Sequence, residues 1–258
     1  MNSDLLREFI RSELIESKKS DEFEEKVAKA INDSSKNVEA IAMKPVQLPD
    51  VYVSIGELSS YVEVKMNHTD NLSNKRIYFD GAVWKPRKAS PSAEATALLA
   101  NESAEAAEFL DDLRSFIGRK DIYISSTKSG LKRENAISPE EMGEFLASRN
   151  NQYIVIGNED VDVGHFATEH YLLSKDSPAH YLQAGNDFYM IGAENPLELS
   201  PKIPQLEGTG TFKIRVGMRG QGSKTPWYEI QPELKMKNLK SSQFSVFGDG
   251  KINPFSEK

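Results

Sequence analysis

The chain has 258 residues, with 39 Asp and Glu against 32 Lys and Arg and a formal net charge of −7. That length suits one large domain or a core with a small subdomain, and the acidity excludes a polybasic protein that coats nucleic acid non-specifically. With no cysteine at all, a disulfide framework, a zinc finger, a thiol nucleophile and an iron–sulfur site are excluded, while 38% hydrophobic and 28% charged residues fit a globular fold.

Residues 3–18 carry Leu5, Leu6, Phe9, Ile10 and Leu14 at helical spacing after Ser3, which predicts an amphipathic helix. Acids interrupt every turn of this segment, so it has no signal-peptide core, and no run approaches the roughly 18 apolar residues of a bilayer helix. The expectation is a soluble, cytoplasmic protein without membrane association. A second helix is predicted after Ser20, with Phe23, Val27, Ala30 and Ile31 on one stripe. Residues 38–43 read as a strand stopped by Pro45. Val51–Ile55 and Tyr61–Met66 are β-branched and aromatic runs joined by Gly56-Glu57-Leu58-Ser59-Ser60, a hairpin pattern.

Residues 67–91 are polar and read as a loop or edge structure. Ala, Glu and Leu dominate 92–117 and predict one helix. A strand at 122–125, a short helix at 139–148 and a buried strand at 152–157 follow. Beyond residue 180 the texture turns to short strand candidates at 181–183, 187–191, 212–218 and 227–230.

The chemically informative stretch is Pro49-Asp50 and its return, Glu63-Val64-Lys65. Side chains alternate along a strand, so Glu63 and Lys65 share a face while Val62 and Val64 point the other way. If 51–55 and 61–66 pair as a hairpin, Asp50 lies opposite the end of the second strand. Two carboxylates and an ammonium then converge beside an apolar sheet face. Two carboxylates, helped by a backbone carbonyl, suit Mg²⁺. A lysine beside it suits an attacking water and the charge that builds on a phosphorane. The chain contains five acid-x-Lys triplets, but only Glu63/Lys65 lies inside an apolar strand, and Pro49-Asp50 is its one Pro-Asp pair.

In these residues, Pro49-Asp50, twelve intervening positions and Glu63-Val64-Lys65, the chain resembles the PD-(D/E)XK nuclease superfamily, which includes many type II restriction endonucleases. The resemblance implies that Asp50, Glu63 and the Val64 carbonyl hold the metal and that Lys65 serves the water. It implies Mg²⁺ as cofactor, with Mn²⁺ able to substitute. Glu24 or Glu25, on the helix before the sheet, would fill the place of an accessory acid. The likeness covers residues 20–160 as a helix–strand–hairpin–helix–strand order.

Asn67, His68, Asn71, Asn74, Lys75 and Arg76 directly follow the candidate strand and are DNA-binding candidates, as phosphate and base-edge donors. So are Lys213, Arg215, Arg219 and Lys224, in a segment 209–240 that carries seven Lys and Arg against two acids. His165, His170 and His180 lack the HExxH spacing of a zinc hydrolase, and no P-loop, dinucleotide fingerprint or nucleophile elbow occurs.

The expected fold is α/β, with a central mixed β-sheet flanked by helices, a restriction-endonuclease-like core and a β-rich C-terminal portion. The expected division is 1–160, helical N-terminus plus core, and 161–258, a β-rich extension. The expected function is a Mg²⁺-dependent endonuclease of double-stranded DNA, sequence-specific in restriction-enzyme fashion. Cutting both strands requires a homodimer or sequential nicking. Two alternatives stay open: a phage, repair or recombination nuclease specific for DNA structure, and a non-catalytic DNA-binding or assembly protein.

Overall fold

The computed structural model describes residues 3–43, 48–72, 76–125, 134–173, 177–219 and 227–256. They form α1 (Ser3–Ser34), β1 (Val38–Ala42), β2 (Val51–Ile55), β3 (Leu58–Lys65), β4 (Ile77–Phe79) and β5 (Trp84–Pro86). Next come α2 (Pro91–Glu102), α3 (Ala104–Ile117), α4 (Pro139–Ala147), β6 (Tyr153–Asp162) and α5 (Val163–Ala167). A π-helical stretch, Thr168–Leu173, continues α5, followed by β7 (Ala179–Ala184), β8 (Asp187–Met190), β9 (Thr209–Arg219) and β10 (Trp227–Lys237). The fold is mixed α/β, with a central mixed sheet flanked by helices and a β-rich C-terminal region. Among the described residues, no helix is long and apolar enough to cross a membrane.

The chain divides into two compact units, and each draws on both halves of the sequence. One comprises Met1–Asp70, Asp162–Thr209 and Met236–Lys258; the other comprises Asn71–Val161 and Gly210–Lys235. The division is therefore not a single boundary near residue 160. Strands 209–219 and 227–237 belong almost wholly with the segment 71–161: they share a sheet with 153–162, and the Tyr228 hydroxyl donates to the Ile137 carbonyl at 3.0 Å.

The first unit is built on a five-stranded sheet of order β1-β2-β3-β7-β8. β1, β2 and β3 run antiparallel in turn, β7 runs parallel to β3, and β8 returns antiparallel. The β2–β3 turn has only two residues, since Ile55 pairs with Leu58. Gly56 supplies the positive φ (+59°) that such a tight turn needs. β3 thus begins three residues before the expected Tyr61. Val38, Ala40, Val51, Val53, Val62 and Val64 all point to one face, where Val27 and Ile31 of α1 and Phe244 and Phe255 complete the core.

The segments 3–18 and 20–32 form one helix rather than two. No Gly or Pro interrupts them, and the Ser20 hydroxyl bonds Glu24 within the helix instead of starting a new one. Asn32 fastens the helix end to the sheet: its side chain donates to the Ala40 carbonyl at 2.8 Å and accepts from the Ala40 N–H at 2.7 Å.

The second unit holds a three-stranded sheet of order β10-β9-β6, the β4–β5 pair and helices α2–α4. The helix expected over 92–117 is broken at Ser103, whose extended backbone ends α2 while its hydroxyl caps the Ala106 N–H of α3. Residues 122–125 make isolated bridges, Tyr123 with Ala136 and Ile124 with Phe79, rather than a full strand. β6 contains the expected strand 152–157, but Val155 and Ile156 are buried while Ile154 is 51% exposed. It therefore has an open side and lies outside the central sheet. The strand beside β3 is β7.

Candidate functional site

Asp50 sits where the chain enters β2, held by the Met43 N–H donating to the Asp50 carbonyl at 2.7 Å. The register pairs Val51 with Val62, so Asp50 comes beside the end of β3. There Asp50 Oδ2 accepts the Val64 N–H at 2.8 Å. One side of Val64 is Glu63 and the other is Lys65, and the Lys65 Nζ donates to Glu63 Oε1 at 2.7 Å. The two residues share the face opposite the valines, as strand alternation requires. The three expected residues are brought together within one unit.

Burial shapes their charges. Burial, reinforced by the neighbouring Glu63 carboxylate, pushes the Asp50 carboxyl up to about 7. Burial alone would lower the Lys65 ammonium, but Glu63, Tyr171 and Asp50 together outweigh it and hold Lys65 well above the usual lysine value. These neighbours favour the protonated form of Lys65.

Glu24 and Glu25 part company. Glu24 is half-buried on α1, and burial raises its carboxyl; it also feels Lys65 and Glu63 electrostatically. Glu25 is exposed. Of the two, only Glu24 belongs to the electrostatic neighbourhood of the trio.

Tyr171 is a member of the site that sequence reasoning missed. It is fully buried, its hydroxyl hydrogen-bonds Glu63, and burial beside that carboxylate keeps the phenol well above its ordinary value. It comes from the π-helical stretch 168–173, which packs against β7. π-Helical turns recur where a side chain must be re-aimed. A signal was present: Val163, Phe166, Ala167, His170 and Tyr171 follow the i, i+3, i+4, i+7, i+8 spacing of a buried helical stripe, and all five are buried.

The polar residues after β3 separate. The Asn67 N–H caps Asp70 at 3.0 Å, and His68 Nε2 lies 2.7 Å from Asp187 Oδ2, both in the unit that carries the trio. Asn71 and Arg76 belong to the other unit, where Asn71 Oδ1 accepts the Leu234 N–H at 3.0 Å and Arg76 is exposed. Lys213, Arg215 and Arg219 lie on β9, with Arg215 reaching Glu233 and Arg219 reaching Glu229. Asn74, Lys75 and Lys224 lie outside the described residues. The three histidines do not converge: His165 is exposed, His170 packs its ring at a tilt against that of Tyr171, and His180 bonds Ser60 at 3.0 Å.

The donor set fits a hard divalent cation. The buried Glu63 and the part-buried Asp50 share a spot with one ammonium, so an extra positive charge would offset both the desolvation and the Glu63 repulsion that lift Asp50. All the donors are oxygens, and Mg²⁺ needs only one or two carboxylates because it keeps several waters. Among the described residues, no group of three His, Cys, Asp or Glu side chains forms a ready-made cage. No family model matches the chain, and no curated protein or solved structure shows significant similarity to it.

Proposed function

We propose that this chain is a Mg²⁺-dependent endonuclease that hydrolyses duplex DNA at a specific sequence, built on a PD-(D/E)XK-type core. The observation that carries the reading is the convergence of Asp50, Glu63 and Lys65, with Asp50 bonded to the Val64 N–H and Lys65 bonded to Glu63. Element order supports it. α1, β1, the β2–β3 hairpin, α5 with its π-helical turn, and β7 parallel to β3 follow the helix–strand–hairpin–helix–strand order of that family. The closing helix and strand are 163–173 and 179–184, not the 92–117 and 152–157 segments expected from sequence.

Asp50 and Glu63, with the Val64 carbonyl, would hold Mg²⁺ or Mn²⁺, whose charge polarises a phosphate oxygen and lowers the pKa of bound water. Lys65 sits beside that cation site, bonded to Glu63. It donates to the attacking water and offsets charge on the phosphorane. Tyr171 fixes the Glu63 carboxylate, and Glu24 adds negative charge at the margin. With one such site per chain, a homodimer or sequential nicking completes a double-strand cut.

Incubation of the purified protein with plasmid DNA and Mg²⁺ tests the reading. Discrete fragments are expected, and Asp50→Ala or Lys65→Ala should abolish them while DNA binding persists. Cutting confined to branched substrates would favour recognition of DNA structure. A plasmid left intact under all divalent metals would sink the endonuclease reading.

A further inference from the structure

Strands β9 and β10 each have one apolar row and one polar row. Phe212, Ile214 and Val216 on β9 are buried, as are Tyr228, Ile230, Leu234 and Met236 on β10. The odd-numbered residues point the other way, and both odd rows share one face: Arg215 reaches Glu233 at 3.9 Å and Arg219 reaches Glu229 at 3.3 Å. This face carries Lys213, Arg215 and Arg219 from β9, and Trp227, Glu229, Gln231, Glu233 and Lys235 from β10.

The face is not flat. Arg76, Arg219, Glu229, Gln231 and Glu233 line a cleft of about 270 Å³ within the second unit. Its donors are drawn into an array: Trp227 Nε1 at 3.1 Å, Gln231 Nε2 at 2.9 Å and Arg219 Nε at 3.3 Å all converge on Glu229. Within the second unit, the described part of this face carries Lys213, Arg215, Arg219 and Lys235 against Glu229 and Glu233.

We propose that this polar face, with Arg76, reads base edges in the major groove of duplex DNA, and that Arg76, Arg219, Gln231 and Glu229 set the sequence preference. The proposal rests on the endonuclease reading and assigns its specificity to a different unit from the trio. Three physical points select this occupant. The polar row stands on two adjacent strands of the β10-β9-β6 sheet, and strands are among the elements that read base edges in a groove of duplex DNA, the major groove being about 12 Å wide. The cleft mixes signs: Arg suits guanine O6 and N7, Gln suits adenine N6 and N7, and a carboxylate accepts from cytosine N4. Phosphates alone, or an acidic peptide, would meet repulsion from Glu229 and Glu233, whereas base edges bring donors to them. An RNA duplex is disfavoured because its major groove is too deep and narrow for side chains to read. The flanking lysines would supply sequence-independent attraction to phosphates.

The test is sequencing of the ends cut from a randomised duplex library in Mg²⁺, with binding of the same library measured in EDTA. It uses the full chain and its Arg76→Ala, Gln231→Ala and Lys235→Ala variants, each checked by thermal melt. Arg76 is exposed, so its loss leaves the core intact. The full chain should select a short sequence. Arg76→Ala and Gln231→Ala should each relax one position of it by roughly tenfold or more, and Lys235→Ala should weaken binding to all sequences alike. If the protein cuts but both cleft variants keep the original preference, the base-reading assignment is overturned and the endonuclease reading stands; if it cuts all sequences equally, the assignment is overturned together with the sequence specificity of that reading, and only the nuclease activity stands. If it neither binds nor cuts any duplex, the endonuclease reading falls and this assignment falls with it.

Discussion

The Asp50 carboxylate accepts the Val64 N–H at 2.8 Å across fourteen positions of sequence. That one bond sets the entry of β2 against the segment that carries Glu63 and Lys65, so the three charged groups meet without help from any other strand. It also leaves Asp50 part-buried beside a second carboxylate, which gives the site a measurable signature.

With its folded carboxyl pushed up to about 7 from an ordinary value of 3.8, Asp50 binds more protons folded than unfolded between those values. Stability should therefore fall as pH rises from about 4 towards 7, and level off above it once Asp50 is ionised in both states. Asp50→Asn keeps an oxygen acceptor for Val64 and removes the charge. Melting temperature against pH should show a smaller fall for Asp50→Asn than for the native chain. Added Mg²⁺ should stabilise the native protein more at pH 8 than at pH 5.5, and the variant much less. Equal slopes in the two proteins would contradict the assigned Asp50 shift.

Lys65 is the counter-charge of this cluster. Lys65→Met should leave Glu63 and Asp50 repelling one another and destabilise the fold by about 3 kcal/mol at neutral pH, on the scale for breaking a buried pair. Acid should recover part of that loss by protonating the carboxylates. Cleavage should fall at least a hundredfold, in keeping with groups that stabilise developing charge. Denaturant titrations at pH 5 and pH 8, with a plasmid nicking assay, check both parts.

Tyr171 acts through Glu63. Tyr171→Phe removes the hydroxyl and keeps the ring, so stability should change by about 1 kcal/mol. The larger effect should fall on the metal: the Mg²⁺ concentration for half-maximal cleavage should rise 10- to 100-fold, the usual range for partners that orient a ligand. A shift in rate at saturating Mg²⁺, with no change in that midpoint, would instead indicate a role outside metal binding.

Away from the site, Asn32 ties α1 to β1 through two bonds to Ala40. Asn32→Ala strands a backbone donor and an acceptor and should cost about 1–3 kcal/mol. Chemical denaturation should register this as a lower midpoint with an unchanged slope. Asn32→Asp, which retains the acceptor alone, should fall between the two.

Local chemistry made much of this protein legible from its residues. Alternation in Val51–Ile55 and Tyr61–Met66 is a backbone property, so it placed Glu63 and Lys65 on one face before any fold was known. The Gly56-Glu57 turn then carried Asp50 to them. Helices 139–147 and the core of α1 followed from spacing and capping for the same reason. Partner choice had no such local cause. The runs 152–157 and 179–184 are both apolar and β-prone, and only packing decided that 179–184 lies parallel to β3 while 152–157 joins another sheet. The same holds for Tyr171, whose bond to Glu63 spans more than a hundred residues, and for strands 209–219 and 227–237, which pack with residues 71–161. Periodicity states which side of an element is buried. What it is buried against depends on loop closure and shape complementarity over the whole chain, and that information exists only once the tertiary structure has formed.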